Sequence, residues 1–380
     1  MPRHGTGMKK NFNMDAAQWA SGLAPIASPR RAIRRWSRRL AFCAALALAA
    51  LVAFPATAVR AQDLPASVKA LIPAAKKEGG VNVFGYTSNP RQEAAFRTAI
   101  SKFYGFQIDI NFHRGNHVQE TAQLVQAAQN HVPTNLDIFW SGPTTVGVLE
   151  KAGAMMKFDW AKTFGLDPAL QIGDTGLRSH DSVLASITYN TSLVKAEDVP
   201  KSYDDLLDPK WKGRLSMPRS PTPWFILAYA LGDEKVTDLL TRVMHDAEPK
   251  ILPTYPDVRT RVSTGEFALG FGADGFVLHG QGAPIDEARA SPIVLLPSTS
   301  NILADVAHPN LAKLWGYWLV TPDGQRALVD ILGYALVTTK GSPLYDLAQK
   351  TGKVEIVSDE FTQKNFEPLG RKYSKIMGIR

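Results

Sequence analysis

Small polar residues recur where short apolar runs end. Thr87 and Ser88 follow the run 81–86, Ser141 and Gly142 follow 136–140, and Ser220 and Thr222 stand between the runs 214–217 and 224–231. Ala273 and Asp274 lie in the glycine-rich stretch after 267–271. Hydroxyls and free backbone N–H groups at helix starts are what an oxyanion needs, because the helix end adds positive potential to unpaired donors. Arg114, in His113-Arg114-Gly115-Asn116, and Arg219 would add guanidinium forks. Tyr86, Trp224, Tyr255 and Phe276 could give the same place an aromatic wall. The chemistry implied is the holding of a small organic anion: a phosphonate, a phosphate ester or a carboxylate. The same hydroxyls also read as ordinary helix caps, since Ser and Thr are favoured there in any case.

Other spacings lead to less. Gly270, Gly272 and Gly275 match G-x-G-x-x-G after an apolar run, but Gly280, Gly282 and Pro284 cut short any helix that follows, and no acid stands about 20 residues on. His113, His117 and Glu120 have the spacing of a zinc site on a helix, yet Gly115 and Asn116 place a loop between the two histidines. Asp274 and Asp257 are the acids that a catalytic reading would nominate, and neither has an evident partner. Phosphate-loop and nucleophile-elbow motifs are missing. No catalytic residue, metal or cofactor is therefore expected.

The elements that must position these residues alternate. Strands are predicted over 81–86, 106–112 and 136–140, with helices over 90–104, 117–130 and 144–152 between and after them. The logic repeats with strands over 183–189, 214–217, 267–271 and 292–296 and helices over 224–231, 234–244, 311–319 and 325–332. This order predicts parallel strands with helices on both faces. Ligands on such sheets bind beyond the carboxyl ends of the strands, where the clusters above fall.

The formal charge of +8 is misleading. Residues 1–61 contain ten of the 43 Lys and Arg against one acid, so residues 62–380 carry 33 bases and 34 acids. The body is near neutral, and bulk charge gives no reason to expect a nucleic-acid partner. The basic excess belongs to an expected cleavable export signal over 1–61, by a Sec or Tat route. Its basic region is 30–39, its apolar core is the 15 residues 40–54, and small residues precede Gln62. That core is short of the about 20 residues a membrane span needs. Met8 and Met14 are alternative starts. The one cysteine, Cys43, lies in the apolar core, so the exported chain has no thiol for nucleophilic, metal or disulfide chemistry.

Several stretches resemble the bacterial extracellular solute-binding proteins of ABC transporters, in the group that binds ferric ion, phosphonates and sugar phosphates. They are Tyr189-Asn190-Thr191-Ser192-Leu193-Val194, residues 200–213 (PKSYDDLLDPKWKG, with Tyr203 where that group has Trp), His308-Pro309-Asn310-Leu311, Thr321-Pro322-Asp323-Gly324-Gln325 and Asp137-Ile138-Phe139-Trp140. The resemblance implies the type II periplasmic binding fold, with two α/β lobes, each a mainly parallel sheet, joined by two hinge crossovers. It places lobe 1 at 62–181 plus 302–352 and lobe 2 at 182–301 plus 353–380. It also implies a monomeric periplasmic protein that catches a ligand and docks on a permease in the inner membrane. The group's ferric binders use an adjacent Tyr-Tyr pair, replaced here by Gly275 and Phe276, and a Glu, replaced here by Gly142. The loss of hard anionic ligands turns the expectation from iron to a small anion. Ferric-ion or polyamine binding, or a periplasmic enzyme on the same fold, are the alternatives. Within the scaffold, Trp211 is expected in the core, His308 and Pro309 at a helix start, and Gly324 in a turn between helices.

Overall fold

The computed structural model describes residues 64–85, 89–115 and 117–379. The export signal expected at 1–61 lies outside the described residues. In chain order the elements are α1 (Ala66–Glu78), β1 (Gly80–Phe84), α2 (Pro90–Tyr104), β2 (Asp109–His113), α3 (His117–Gln129), β3 (Ile138–Ser141), α4 (Pro143–Lys151), α5 (Trp160–Phe164), β4 (Gln171–Ile172), β5 (Gly176–Ser182) and β6 (Ile187–Asn190). There follow β7 (Leu215–Pro218), α6 (Thr222–Leu231), α7 (Asp233–Arg242), β8 (Lys250–Leu252), α8 (Tyr255–Ser263), β9 (Leu269–Phe271), α9 (Phe276–Gly280), β10 (Ile285–Glu287) and β11 (Ile293–Ile302). The chain ends with α10 (Pro309–Leu319), α11 (Pro322–Leu332), α12 (Pro343–Thr351), β12 (Val354–Ile356) and α13 (Asp359–Ile376).

These strands build two sheets with one plan. The first runs β2-β1-β3-β11-β5-β4, with β12 beside β11; the second runs β10-β6-β9-β7-β8. In each, three consecutive strands lie parallel in the order second, first, third (β2-β1-β3 and β8-β7-β9). An antiparallel strand, β11 or β6, then closes against the third. The parallel trios follow the alternating sequence pattern, and the antiparallel strands arrive from elsewhere. β6 enters the second sheet directly from β5 of the first, and β11 enters the first sheet directly from β10 of the second. The crossovers are residues 183–186 and 288–292. The predicted strand 183–189 thus straddles a crossover: β5 ends at Ser182 and β6 begins at Ile187.

Two expectations are corrected by this topology. The return to the first lobe comes before the expected residue 302, because β11 already pairs from Leu296 to Asn301 with β5 and from Thr299 to Ile302 with β3. Gly324 is the third residue of α11 and lies in no turn. A Cβ there would stand 1.9 Å from the Trp318 carbonyl oxygen, so only glycine allows α10 and α11 to meet this closely.

Each sheet has its own core. Around the first, Phe96, Trp140, Trp160, Trp315 and Trp318 are fully buried with Val81, Val83 and Ile138. Around the second, Trp211, Trp224, Phe225 and Phe271 pack with Ile187, Leu215 and Met217. Trp211 is in the core as expected. The Tyr203 hydroxyl, at the position where the similar group has Trp, lies 3.0 Å from the Ala185 carbonyl and 2.8 Å from that of Pro292. It ties the two crossovers together. The helix α13 packs on α6 and α7 on one side and on α4 on the other, so it spans both halves. No described helix is long and apolar enough to cross a membrane.

Candidate functional site

The carboxyl ends of the two parallel trios carry the predicted residues, and the chain between strand and helix is short at each. Tyr86, Thr87 and Ser88, between β1 and α2, lie outside the described residues. On the first sheet, Ser141 ends β3 and Gly142 is the N-cap of α4, where no side chain caps the helix. The buried Ser141 hydroxyl lies 2.8 Å from Thr145 Oγ1 and 3.1 Å from His117 Nδ1. His117 starts α3, its ring edge-on to Phe84. Desolvation pulls its pKa down, so the ring is neutral at pH 7 and can take or give a hydrogen bond.

On the second sheet, the chain leaving β7 and the start of α8 bring three hydroxyls together. Tyr255 donates to Ser220 Oγ at 2.8 Å, and Ser220 donates to Thr222 Oγ1 at 3.1 Å. Burial pushes the Tyr255 phenol up, which keeps it a donor. The helix α6 starts at Thr222 on N-cap Pro221, again without a side-chain cap. By contrast, Asn89 caps α2 and a Thr254–Asp257 capping box closes α8. Asp257, one of the two acids a catalytic reading nominates, is therefore engaged in capping.

The two arginines contribute less than expected. Arg114 follows β2 but forms an ion pair with Glu93 of α2, which also holds Arg97 at 3.5 Å. One carboxylate is thus shared by two guanidiniums, and Arg114 is already engaged with it. The Arg219 backbone N–H donates to Leu252, and its side chain is exposed. Trp224 is core, with its ring 4.4 Å from that of Phe271. Phe276 is also no cleft wall: it packs with Val183, Leu295, Leu344 and Leu347 where the halves meet.

The glycines after β9 have packing reasons. A Cβ on Gly270 would meet Val258 at 2.8 Å, and one on Gly275 would meet Ile285 at 2.7 Å. Gly272 turns the chain at φ 90° with Pro223 against it. Asp274 is buried, and burial raises its pKa against the pull of Arg259, whose Nη1 lies 4.0 Å away. Its neighbour Ala273 accepts a hydrogen bond from Thr188. The structure adds a residue that sequence reasoning missed. Glu287 of β10 is buried here, accepting from Gly275 N–H at 2.6 Å, with Thr188 Oγ1 2.8 Å from its carboxyl. Burial, and then Asp274, raise its pKa from 4.5 to about 8. Thr145, Arg259 and Glu287 carried no signal along the chain, and His117 stood out only for a zinc-like spacing with His113 and Glu120; the fold brings them to these loops. Among the described residues, no three His, Cys, Asp or Glu side chains gather as a metal site.

A family model described as bacterial extracellular solute-binding protein matches residues 93–355. No curated protein matches the sequence. Several solved structures share the fold. The substrate-binding protein of an ABC transporter from Agrobacterium tumefaciens is 14% identical with a TM-score of 0.65, over 78% of this chain and 95% of that one. AfuA from Actinobacillus pleuropneumoniae, with fructose-6-phosphate bound, is 17% identical with a TM-score of 0.62, over 79% and 99%. Iron-bound HitA from Pseudomonas aeruginosa is 16% identical with a TM-score of 0.61, over 77% and 99%.

Proposed function

Since the chain belongs to the bacterial extracellular solute-binding proteins, we propose that it is the periplasmic capture component of an ABC importer and that its cargo is a small organic anion. The observation that carries the anion reading is the pair of helix starts without side-chain caps, α4 and α6. Each opens beside hydroxyls, Ser141 and Thr145 on one sheet and Ser220, Thr222 and Tyr255 on the other. Thr222 N–H already donates to Ser220 Oγ at 3.3 Å and Thr145 N–H to the Gly142 carbonyl; the remaining N–H groups in that setting suit phosphonate, phosphate ester or carboxylate oxygens. The buried Glu287 is held largely protonated near pH 7 and Arg114 is engaged with Glu93, so the hydroxyls and N–H groups are the donors this reading assigns to the ligand. Fructose-6-phosphate in AfuA is an anion of this kind. Iron in HitA is not, and the sequence lacks the tyrosine pair that a hard cation wants.

In this reading the lobes are built on the two sheets, hinge at residues 183–186 and 288–292, and close on the ligand. The leader over 1–61 directs export, and the captured solute passes to a permease of the inner membrane. The mature chain works as a monomer without a cofactor or catalytic residues.

The test is a calorimetric titration of the purified protein with fructose-6-phosphate, a short alkylphosphonate, 4-aminobutyrate, ferric citrate and spermidine. An anion is expected to bind, and Ser220→Ala to weaken it about tenfold through loss of one hydrogen bond to a charged group. Tight binding of spermidine or ferric ion with no anion bound would refute the reading.

A further inference from the structure

Counting protons gives the hydroxyl chain on the first sheet a direction. His117 Nδ1 lies 3.1 Å from Ser141 Oγ, Ser141 Oγ lies 2.8 Å from Thr145 Oγ1, and Thr145 Oγ1 lies 3.1 Å from the Gly142 carbonyl oxygen. The carbonyl can only accept, so Thr145 uses its one hydroxyl proton there. Ser141 must then donate to Thr145, and His117 must donate from Nδ1 to Ser141. In the reverse direction Thr145 donates to Ser141 and Ser141 to a bare Nδ1, and the bond to Gly142 is lost. The chain therefore runs from His117 through Ser141 and Thr145 to Gly142. The neutral imidazole carries its proton on Nδ1, which makes Nε2 an acceptor. Edge-on contacts with the rings of Phe84 and Phe139, at 4.9 and 5.9 Å between centroids, hold the imidazole in place. The second sheet has the opposite polarity. Tyr255 donates to Ser220 and Ser220 to Thr222, at 2.8 and 3.1 Å, and neither bond uses the Thr222 proton. Hydroxyl protons are thus engaged inside the protein beside α4, while beside α6 one remains at the end of the chain.

We propose that His117 is a positioning residue that sets the specificity of the capture site. By donating to Ser141 it turns the lone pairs of Ser141 and Thr145 toward the ligand, so this side of the site selects a cargo that brings a hydrogen-bond donor, an O–H or N–H, besides its anionic group. The inference rests on the anion reading and gives the two ends of the cargo different places. The oxyanion goes to the α6 side, where the Thr222 hydroxyl has a proton to give, and the donor group goes to the Ser141 side. An oxyanion set against Ser141 and Thr145 would face their lone pairs.

The experiment has a spectroscopic and a binding arm. The ring-nitrogen shifts of His117 are read at neutral pH from a long-range proton–nitrogen correlation spectrum, assigned by the signals that vanish in His117→Leu. A protonated Nδ1 and a bare Nε2 are expected; a bare Nδ1 with a protonated Nε2 overturns the proposal. Selectivity is read by calorimetric titration with compounds that differ by one hydroxyl, ethylphosphonate against 2-hydroxyethylphosphonate and butyrate against 4-hydroxybutyrate. The hydroxylated member is expected to bind about tenfold tighter, the effect of one hydrogen bond. His117→Leu should erase that preference, because the chain is then free to reverse. His117→Asn, whose amide can donate in place of Nδ1–H, should keep most of it. Equal binding within both pairs, or the full preference retained in folded His117→Leu, overturns the role of His117 and leaves the anion reading standing. Failure of all these compounds to bind also overturns it, and the anion reading then stands or falls on fructose-6-phosphate.

Discussion

Glu287 is held by Gly275 N–H and Thr188 in a buried place beside Asp274, and its carboxyl prefers the proton up to about pH 8. In the unfolded chain it would release that proton near 4.5. Below 4.5 both states are protonated and the folded state keeps the full benefit; from 4.5 to 8 the unfolded state alone ionises, and stability falls as pH rises. His180 acts in the opposite direction. Burial lowers its pKa from 6.5 to about 3, so stability is present above 6.5 and lost as pH falls toward 3. Glu287→Gln is expected to flatten the loss between pH 4.5 and 8 and to raise stability at pH 8 by on the order of a few kcal/mol, read from denaturant unfolding at several pH values. An unchanged slope between those pH values would show that Glu287 is not the group responsible.

At the scale of elements, the starts of helices decide much of the site. The helix α8 carries both Tyr255, which feeds the hydroxyl cluster, and Arg259, which faces the buried Asp274. Its first turn is fixed by Thr254, whose hydroxyl accepts from Asp257 N–H at 3.2 Å while the Asp257 carboxylate accepts from Thr254 N–H at 3.1 Å. Thr254→Ala should cost about 1 kcal/mol in global stability, and hydrogen exchange should quicken first in residues 255–258. Equal protection there in the variant would show that packing alone orders the turn. Such elements were legible in the sequence to different degrees. The strands β1 and β3 announce themselves as apolar runs, and the helices α2 and α10 by Pro at their starts. β5 does not. Its sequence, GLRSHDS, is polar yet buried, because Arg178 pairs with Asp181, Ser179 accepts from Trp140, and His180 stacks on Tyr334. Partners from distant segments satisfy these groups, and no local pattern shows that in advance. The same holds at the site: Ser141, Ser220, Thr222 and Tyr255 could be picked by type and position, whereas the roles of His117, Glu287 and Arg259 exist only in the fold. Phe276 and Trp224, chosen as aromatic lining, are taken by packing instead.

At the scale of the whole molecule, the chain crosses between the sheets at residues 183–186 and 288–292, and the Tyr203 hydroxyl stands between their carbonyls. Tyr203→Phe keeps the ring against Phe271 and removes only that tie. It is expected to broaden the interlobe distance distribution with little change in melting temperature; a lowered melting temperature with an unbroadened distribution would mark the hydroxyl as a stability contact alone. The alternation of strands and helices foretold parallel strands with helices on both faces, and the resemblance implied two lobes. Neither foretold that β11 belongs to the first sheet, since an apolar strand carries no label for the sheet it joins.

That exchange of strands also governs how the molecule comes into being. The first sheet waits for β11, which follows β5 only after residues 183–292, and the second has its third strand flanked on one side by β7 and on the other by β6, delivered from the first. Neither half is a stretch of chain that can be cut out and folded. A polypeptide emerging from its amino end exposes the edge of β3 until residue 302 has followed, so assembly is slow and the open edge is free to pair wrongly. For a chain that must first be exported, the period between arrival of the first strand and arrival of β11 is when a chaperone has the most to protect.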